Sequence, residues 1–288
     1  MRVHLIDGTY ELYRHFYAVP ERKNDRGEEV GAVIGVLASV LGLIESGATH
    51  VAVATDHVIE SFRNQLWPGY KTGEGIDPAL FAQFHPLEDA LRAMGVVVWA
   101  MREFEADDAL ASAARRAALD SRVEQVLICS PDKDLSQCVV GERVVQLDRR
   151  QRQTRDEAGV VLKFGVPPSS IPDWLALVGD SADGFPGVTG WGPKAASTLL
   201  ARYGHLEAIP SSADRWELVI RGAARLSEAL EANREQALLF KTLATLRVDA
   251  PVFELVDELR WEGPATAFRQ LSGELGEPDL WERAQRIR

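Results

Sequence analysis

Cysteine is scarce in this chain, with only Cys129 and Cys138 among 288 residues. Two thiols make no disulfide framework and suit a reducing compartment, so a cytoplasmic location is expected. Long apolar runs are also missing. The longest uncharged stretch, Val30 to Ile44, stops short of the ~20 residues a membrane span needs. Arg2, Asp7, Glu11 and Arg14 interrupt the N-terminus, which leaves no secretory apolar segment. No membrane association is expected. His and Cys do not cluster with zinc-ligand spacing, and no low-complexity linker or internal repeat divides the chain. Basic charge is in deficit: 43 acids against 32 Lys and Arg leave a net charge of -11. On average that is the wrong sign for a surface that grips phosphates.

What is present is an ordinary globular composition, 46% hydrophobic and 26% charged. A chain of this size buries about three-quarters of its unfolded surface and needs no staple. Apolar, β-branched runs recur at 2–7, 50–56, 95–99, 125–129 and 143–147, separated by helical patterns at 30–46, 79–94 and 107–120. Near-continuous apolar strands alternating with helices predict an α/β fold, a mostly parallel sheet flanked by helices. Past residue 170 the strands give way to helical segments at 172–179, 193–203, 213–231 and 233–246, with Pro and Gly gathered in 184–193. The division expected is an α/β domain over 1–170 and a helical region over 171–288.

The carboxylates fall in a pattern. Asp7 follows the first strand, Asp56 the second, and Asp132 and Asp134 the fourth, while Glu105, Asp107 and Asp108 stand where the third strand's connection enters a helix. Parallel strands bring these acids to one sheet edge, where open α/β sheets bind ligands. Asp180 and Asp183 join them if the helical lobe folds over that edge. Taken singly, each acid has a plain structural reading as a turn former or a first-turn helix charge. Their coincidence at four strand ends points instead to hard divalent cations with oxygen ligands, Mg²⁺ or Mn²⁺. With the nine carboxylates so neutralised the balance falls to about -2, and the charge objection to nucleic acid largely disappears.

Gly187-Val-Thr-Gly-Trp-Gly-Pro-Lys places a glycine turn directly before a helix, with Lys194 at its start. Such a turn lets backbone approach a phosphate at a helix N-terminus. It lacks the Gly-Lys-Ser/Thr ending of a nucleoside-triphosphate loop and the preceding strand of a dinucleotide site. A corner between packed helices is the plain alternative.

Six segments in order then resemble the bacterial and phage 5′-3′ exonuclease (flap endonuclease) family, which also supplies the N-terminal nuclease domain of bacterial DNA polymerase I. They are Leu5-Ile-Asp-Gly with Arg14 beyond it, Ala54-Thr-Asp, the stretch 62–71, Glu105-Ala-Asp-Asp-Ala, Ser130-Pro-Asp-Lys-Asp-Leu, and 177–196. The resemblance covers roughly residues 2 to 205. It implies a PIN-like nuclease domain followed by a helix-three-turn-helix element at about 173–205. It also implies one metal group on Asp7, Asp56, Glu105, Asp107 and Asp108, and a second on Asp132, Asp134, Asp180 and Asp183. Lys71, Arg14 and Arg63 are the implied phosphate-neutralising cations. Tyr70, Gly187, Gly190, Gly192 and Lys194 are the implied DNA contacts, and a K⁺ ion is expected among backbone carbonyls near 181–190. Trp67 and Trp191 are candidates, with Tyr70, for stacking on bases. The four arginines of 149–155 are a further candidate duplex contact, or else a solvated hairpin tip.

One departure is Glu74, where many members carry a base in the arch over the 5′ strand. The expected activity is structure-selective hydrolysis of DNA at 5′ ends, flaps and branches by two metals. No polymerase segment follows residue 288, so a stand-alone exonuclease is expected, with no protein partner indicated. The competing readings are a non-catalytic DNA-structure-binding protein and a PIN-like ribonuclease.

Overall fold

The computed structural model describes residues 1–287. Six strands form one sheet in the order β3-β2-β1-β4-β5-β6. They are β1 (Arg2–Asp7), β2 (His50–Asp56), β3 (Val97–Met101), β4 (Gln125–Cys129), β5 (Val144–Asp148) and β6 (Gln153–Arg155). The first five pair in parallel, and β6 returns antiparallel on β5. β6 was not foreseen because its three residues are polar and carry no strand signal. Strand three begins two residues later than its apolar run suggested.

Both sheet faces are covered, which is why the strands read as unbroken apolar runs. On one face lie α1 (Gly8–Ala18), α2 (Gly31–Glu45) and α3 (Phe84–Ala93). On the other lies α4 (Ala106–Leu119), whose alanines allow close approach to Val3, Leu5 and Val126. α5 (Glu157–Phe164) leads into a helical body of α6 (Ile171–Val178), α7 (Pro193–Tyr203), α8 (Ala223–Ala232) and α9 (Arg234–Ala244), which has its own apolar core. The single helix anticipated over 213–231 is a 3-10 turn at Ala213–Arg215 followed by α8, with left-handed Gly222 between them.

After α9 the chain crosses back to the sheet. Trp261 donates its backbone N–H to Thr49 (2.8 Å) and its indole N–H to the Met94 carbonyl (2.9 Å). α10 (Ala267–Glu274) packs on α3, and α11 (Pro278–Arg286) packs on α2, where Arg283 pairs with Glu45 at 2.8 Å. Among the described residues no helix is long and apolar enough to cross a membrane.

His4, in the middle of β1, is nearly buried, and its Nδ1 has no hydrogen-bond partner. Burial, with Arg149 and Arg2 nearby, pulls its pKa from 6.5 down to about 4. The unfolded chain therefore binds this proton at a higher pH than the folded one. The contribution of neutral His4 is complete above about pH 6.5 and is lost as pH falls toward 4, up to about 3 kcal/mol. In urea unfolding at pH 7.5 and 4.5, His4→Leu should lose less stability than wild type by roughly 2 kcal/mol. Equal losses contradict this.

Candidate metal centre

The strand order reverses between β1 and β4, and the carboxylates converge outside that point. Asp7 closes β1, caps α1 by accepting the Tyr10 N–H (2.9 Å), and accepts the Ser130 hydroxyl (2.9 Å) from the loop after β4. Asp56 closes β2 and accepts the Ala106 N–H at 2.8 Å, while its own N–H donates to Thr9 Oγ1 at 2.9 Å. These bonds lock the starts of α1 and α4 to the sheet edge. Asp107 stands in the first turn of α4, and Asp132 follows β4, accepting the Asp134 N–H at 2.9 Å.

Asp134 opens a 3-10 turn and is buried, and its Oδ1 has no hydrogen-bond partner. Asp180 and Asp183 come from the loop after α6. Each of these three acids puts a carboxylate oxygen within 4.8 Å of the others'. The helical body thus does fold over the sheet edge, as the position of its two acids required.

Two lysines thread the cluster. Lys71 Nζ lies 2.7 Å from Glu105 Oε2 and 3.1 Å from Asp183 Oδ1, joining the two lobes. Lys133 Nζ lies 2.5 Å from Asp180 Oδ2 and 3.8 Å from Asp134 Oδ1. Lys133, in the Ser-Pro-Asp-Lys-Asp-Leu segment, has no signal in the sequence that marks it as part of the site. Two charges do not balance so many acids. Burial first, then Asp56 and Asp132, push Asp7 up to about 7. Burial, then Asp132 and Asp7, raise Asp107 well above the usual range. Asp134 is raised by burial and by Asp132, Asp183 and Asp180. Asp56 and Asp183 are raised by burial, with Lys71 opposing. Glu105 goes the other way. Burial disfavours its charge, but Lys71 and Arg63 hold it down to about 2.

Three residues face inward instead, Arg63 and Tyr70, which were expected at the substrate, and Asp108, which was expected in the first metal group. Arg63 is 1% exposed. It spends its N–H groups on Glu105, on both oxygens of Asp108 (2.8 and 2.7 Å), and on the carbonyls of Leu243 and Thr245 (2.8 and 3.2 Å). No donor remains for a phosphate. Asp108, wholly buried, also accepts the N–H groups of Glu105 and Arg247, so it anchors α4 and the chain after α9 and does not face the cluster. Tyr70 is buried with its hydroxyl donating to Glu105 (3.3 Å) and offers no face for stacking. Trp67 and Trp191 are packing residues too, their indole N–H groups donating to Gly184 (3.0 Å) and Leu226 (3.1 Å) carbonyls.

The glycine turn divides by role. Gly187 (φ +71°) is buried, and a Cβ there would meet Gly179 N at 2.4 Å, so it closes the end of α6. Gly190 and Lys194 are exposed, and half-buried Gly192 caps α7. Exposed Arg225 of α8, missed in the sequence, brings Nη2 within 4.0 Å of where a Gly190 Cβ would stand. Arg14, two turns along α1 from Asp7, is part-exposed and paired with Glu11 and contacts none of the cluster's acids. Arg150 and Arg152 sit exposed at the β5–β6 hairpin, whereas Arg149 is turned inward and Arg155 donates to Gln146 (3.1 Å). Glu74 is exposed in the segment between the short helical turns at 63–66 and 78–81.

Residues 2–165 match the family model described as 5′-3′ exonuclease, N-terminal resolvase-like domain, and 166–267 the model for 5′-3′ exonuclease, C-terminal SAM fold. The chain belongs to the 5′-3′ exonuclease family. It is 39% identical over 259 residues to DNA polymerase I of Pseudomonas aeruginosa, covering 88% of this chain and 28% of that protein. To DNA polymerase I of Bacillus caldotenax it is 34% identical over 264 residues, covering 90% and 29%. The chain thus spans under a third of the length of these curated relatives. Among solved structures, T5 5′-exonuclease with bound zinc shares the fold with a TM-score of 0.68 at 18% identity, covering 100% of this chain and 98% of the other. The catalytic core of Rad2 in complex with DNA substrate does so with a TM-score of 0.65 at 13% identity, covering 100% and 92%.

The donor set fits a hard cation: it is all oxygen, it carries surplus negative charge, and buried Asp134 Oδ1 lacks a hydrogen-bond partner. Replacing one acid should therefore relieve the fold and weaken cation binding together. Asp134→Asn is expected to raise Tm in EDTA by about 2–4 °C and to shrink the rise that saturating Mg²⁺ gives the wild type. Thermal unfolding of both proteins in both buffers reads this; a variant less stable in EDTA and equally responsive to Mg²⁺ contradicts it.

Proposed function

We propose that this chain is a divalent-metal-dependent 5′-3′ exonuclease and structure-specific flap endonuclease that hydrolyses DNA phosphodiesters at 5′ ends and branched junctions. The observation that carries this is the convergence of Asp7, Asp56 and Asp107 with Asp132, Asp134, Asp180 and Asp183 at one sheet edge. Asp7, Asp56, Asp107 and Glu105 would hold one Mg²⁺ or Mn²⁺ group, and Asp132, Asp134, Asp180 and Asp183 a second. When bound, two such ions would supply an activated water and neutralise charge developing on the scissile phosphate and its leaving oxygen.

The chain's own residues do the rest. Lys71 keeps Glu105 ionised and ties Asp183 of the helical lobe to the sheet lobe, so the two acid groups keep a fixed separation. Its ammonium, part-exposed, is also placed to meet a non-bridging phosphate oxygen. Arg14 offers a second cation at the rim. Gly190, Gly192, Lys194 and Arg225 form a surface suited to the backbone of a duplex, which is gripped without reading bases. Carbonyls of the same turn, near 181–190, would hold a K⁺ ion, which would add positive charge beside the duplex backbone. In this reading residues 1–170 supply most of the metal-holding acids, and the helix-three-turn-helix element at about 173–205 adds Asp180 and Asp183 and holds the duplex.

A 5′-flapped duplex labelled on the flap tests the reading. Short labelled products are expected in Mg²⁺ plus K⁺, none in EDTA, and at least a hundredfold lower kcat for Lys71→Ala. An all-RNA version of the substrate should be cut far more slowly. Binding without cleavage in both Mg²⁺ and Mn²⁺ contradicts the proposal, and preference for the RNA version redirects it to a ribonuclease.

A further inference from the structure

Behind Arg14 lies a buried charged cluster that the nuclease reading leaves unused. Glu11, one turn beyond Asp7 on α1, is 1% exposed. Its Oε2 accepts from Arg14 Nη2, and His15 Nε2 lies 3.5 Å from the same oxygen. Its Oε1 faces Arg149 Nη1 at 3.7 Å, at the end of β5. Arg149 is in turn fixed by donating Nη2 to the Ser39 carbonyl of α2 at 2.6 Å. His15 is clamped against Gly35 of α2, where a Cβ would lie 2.4 Å from its Nδ1. Side chains from α1 and from the end of β5 thus meet on one carboxylate, and α2 braces two of them.

The charges do not cancel. Two guanidinium groups, 24% and 14% exposed, share a single acid. Arg14 Nε and Arg149 Nη1 are buried without hydrogen-bond partners. Burial alone would favour neutral Glu11, yet His15, Arg149 and Arg14 together hold its pKa below the usual range. With Nη2 taken by Glu11 and His15, Arg14 Nη1 makes no protein hydrogen bond among the described residues. Tyr10, in the field of Arg14, Glu11, Asp148 and Asp7, shows that this corner adjoins the first acid of the metal centre.

We infer that Glu11, braced by Arg149, is a positioning residue that holds the Arg14 guanidinium at the rim of the acid cluster, with its free N–H edge presented to a phosphate of the 5′ strand. The inference rests on the nuclease reading above. Without the Glu11 charge, Arg14 and Arg149 repel each other across a buried space, and Arg14 loses its aim. The acid is more than a partner in a surface ion pair, since it is buried and anchored from three sides.

A double-mutant cycle on the flapped duplex tests this, using single-turnover rates and KM. Glu11→Gln keeps the volume and an acceptor but removes the charge. It is expected to lower the rate roughly tenfold, with KM changed much less, when Arg14 is present. In an Arg14→Ala background the same substitution should change the rate less than twofold. If Glu11→Gln does not fold, as thermal unfolding will show, Arg149→Met takes its place in the cycle, because it removes the brace on Glu11; it is expected to lower the rate about threefold with Arg14 present and not in the Arg14→Ala background. Equal losses with and without Arg14 overturn the inference while leaving the nuclease reading intact. A wild-type protein that does not cleave overturns both.

Discussion

Mutual repulsion among carboxylates is the constraint on which the rest of this structure depends. Asp7, Asp107 and Asp134 are buried or half-buried in the field of Asp132 and other acids, and each is pushed toward the neutral form by that burial and crowding. Nothing in hydrophobic packing favours such an arrangement, which costs stability wherever the acids ionise. It persists because a parallel sheet with its switch between β1 and β4 leaves the strand ends no other place to go. The apolar faces under α1 to α3 and under α4 offset the cost.

The surrounding polar groups make sense as the means of holding that edge in shape. Ser130 and Thr9 bond the strand-end acids or their backbone, and the two residues that begin the α4 turn, Glu105 and Asp108, are gripped by Arg63. Lys71 carries the same function across to the helical lobe. At that crossing Gly184 (φ +81°) lies so close to Gly69 that a Cβ would stand 2.0 Å from its carbonyl oxygen. The seam between the lobes is therefore set by backbone contact as well as by charge. A site that spans two lobes needs such a seam, because the separation of its two acid groups is a matter of tenths of an ångström.

Much of this was legible in the sequence. Strand-end acids can be read because the strand period and the parallel connection are local signals, so their meeting point follows from topology alone. Arg63, Asp108 and Tyr70 were misread for the opposite reason. Whether a cation faces solvent or core depends on partners far along the chain, and Arg63 meets Leu243 and Thr245, 180 and 182 residues away. The same holds for the last forty or so residues. Their return to Thr49, Met94 and Glu45 has no periodic signature in the sequence, and no chemistry marks it. Glu11 reads in the sequence only as a charge that interrupts the N-terminus, since only the fold brings Arg149 to it.

The most direct test of the proposed metal centre is an anomalous difference map from crystals soaked in Mn²⁺. Density is predicted at two places, one among Asp7, Asp56 and Asp107 and one among Asp134, Asp180 and Asp183, with Arg63 still locked on Asp108. No anomalous density between Asp134, Asp180 and Asp183 at saturating Mn²⁺ would contradict it.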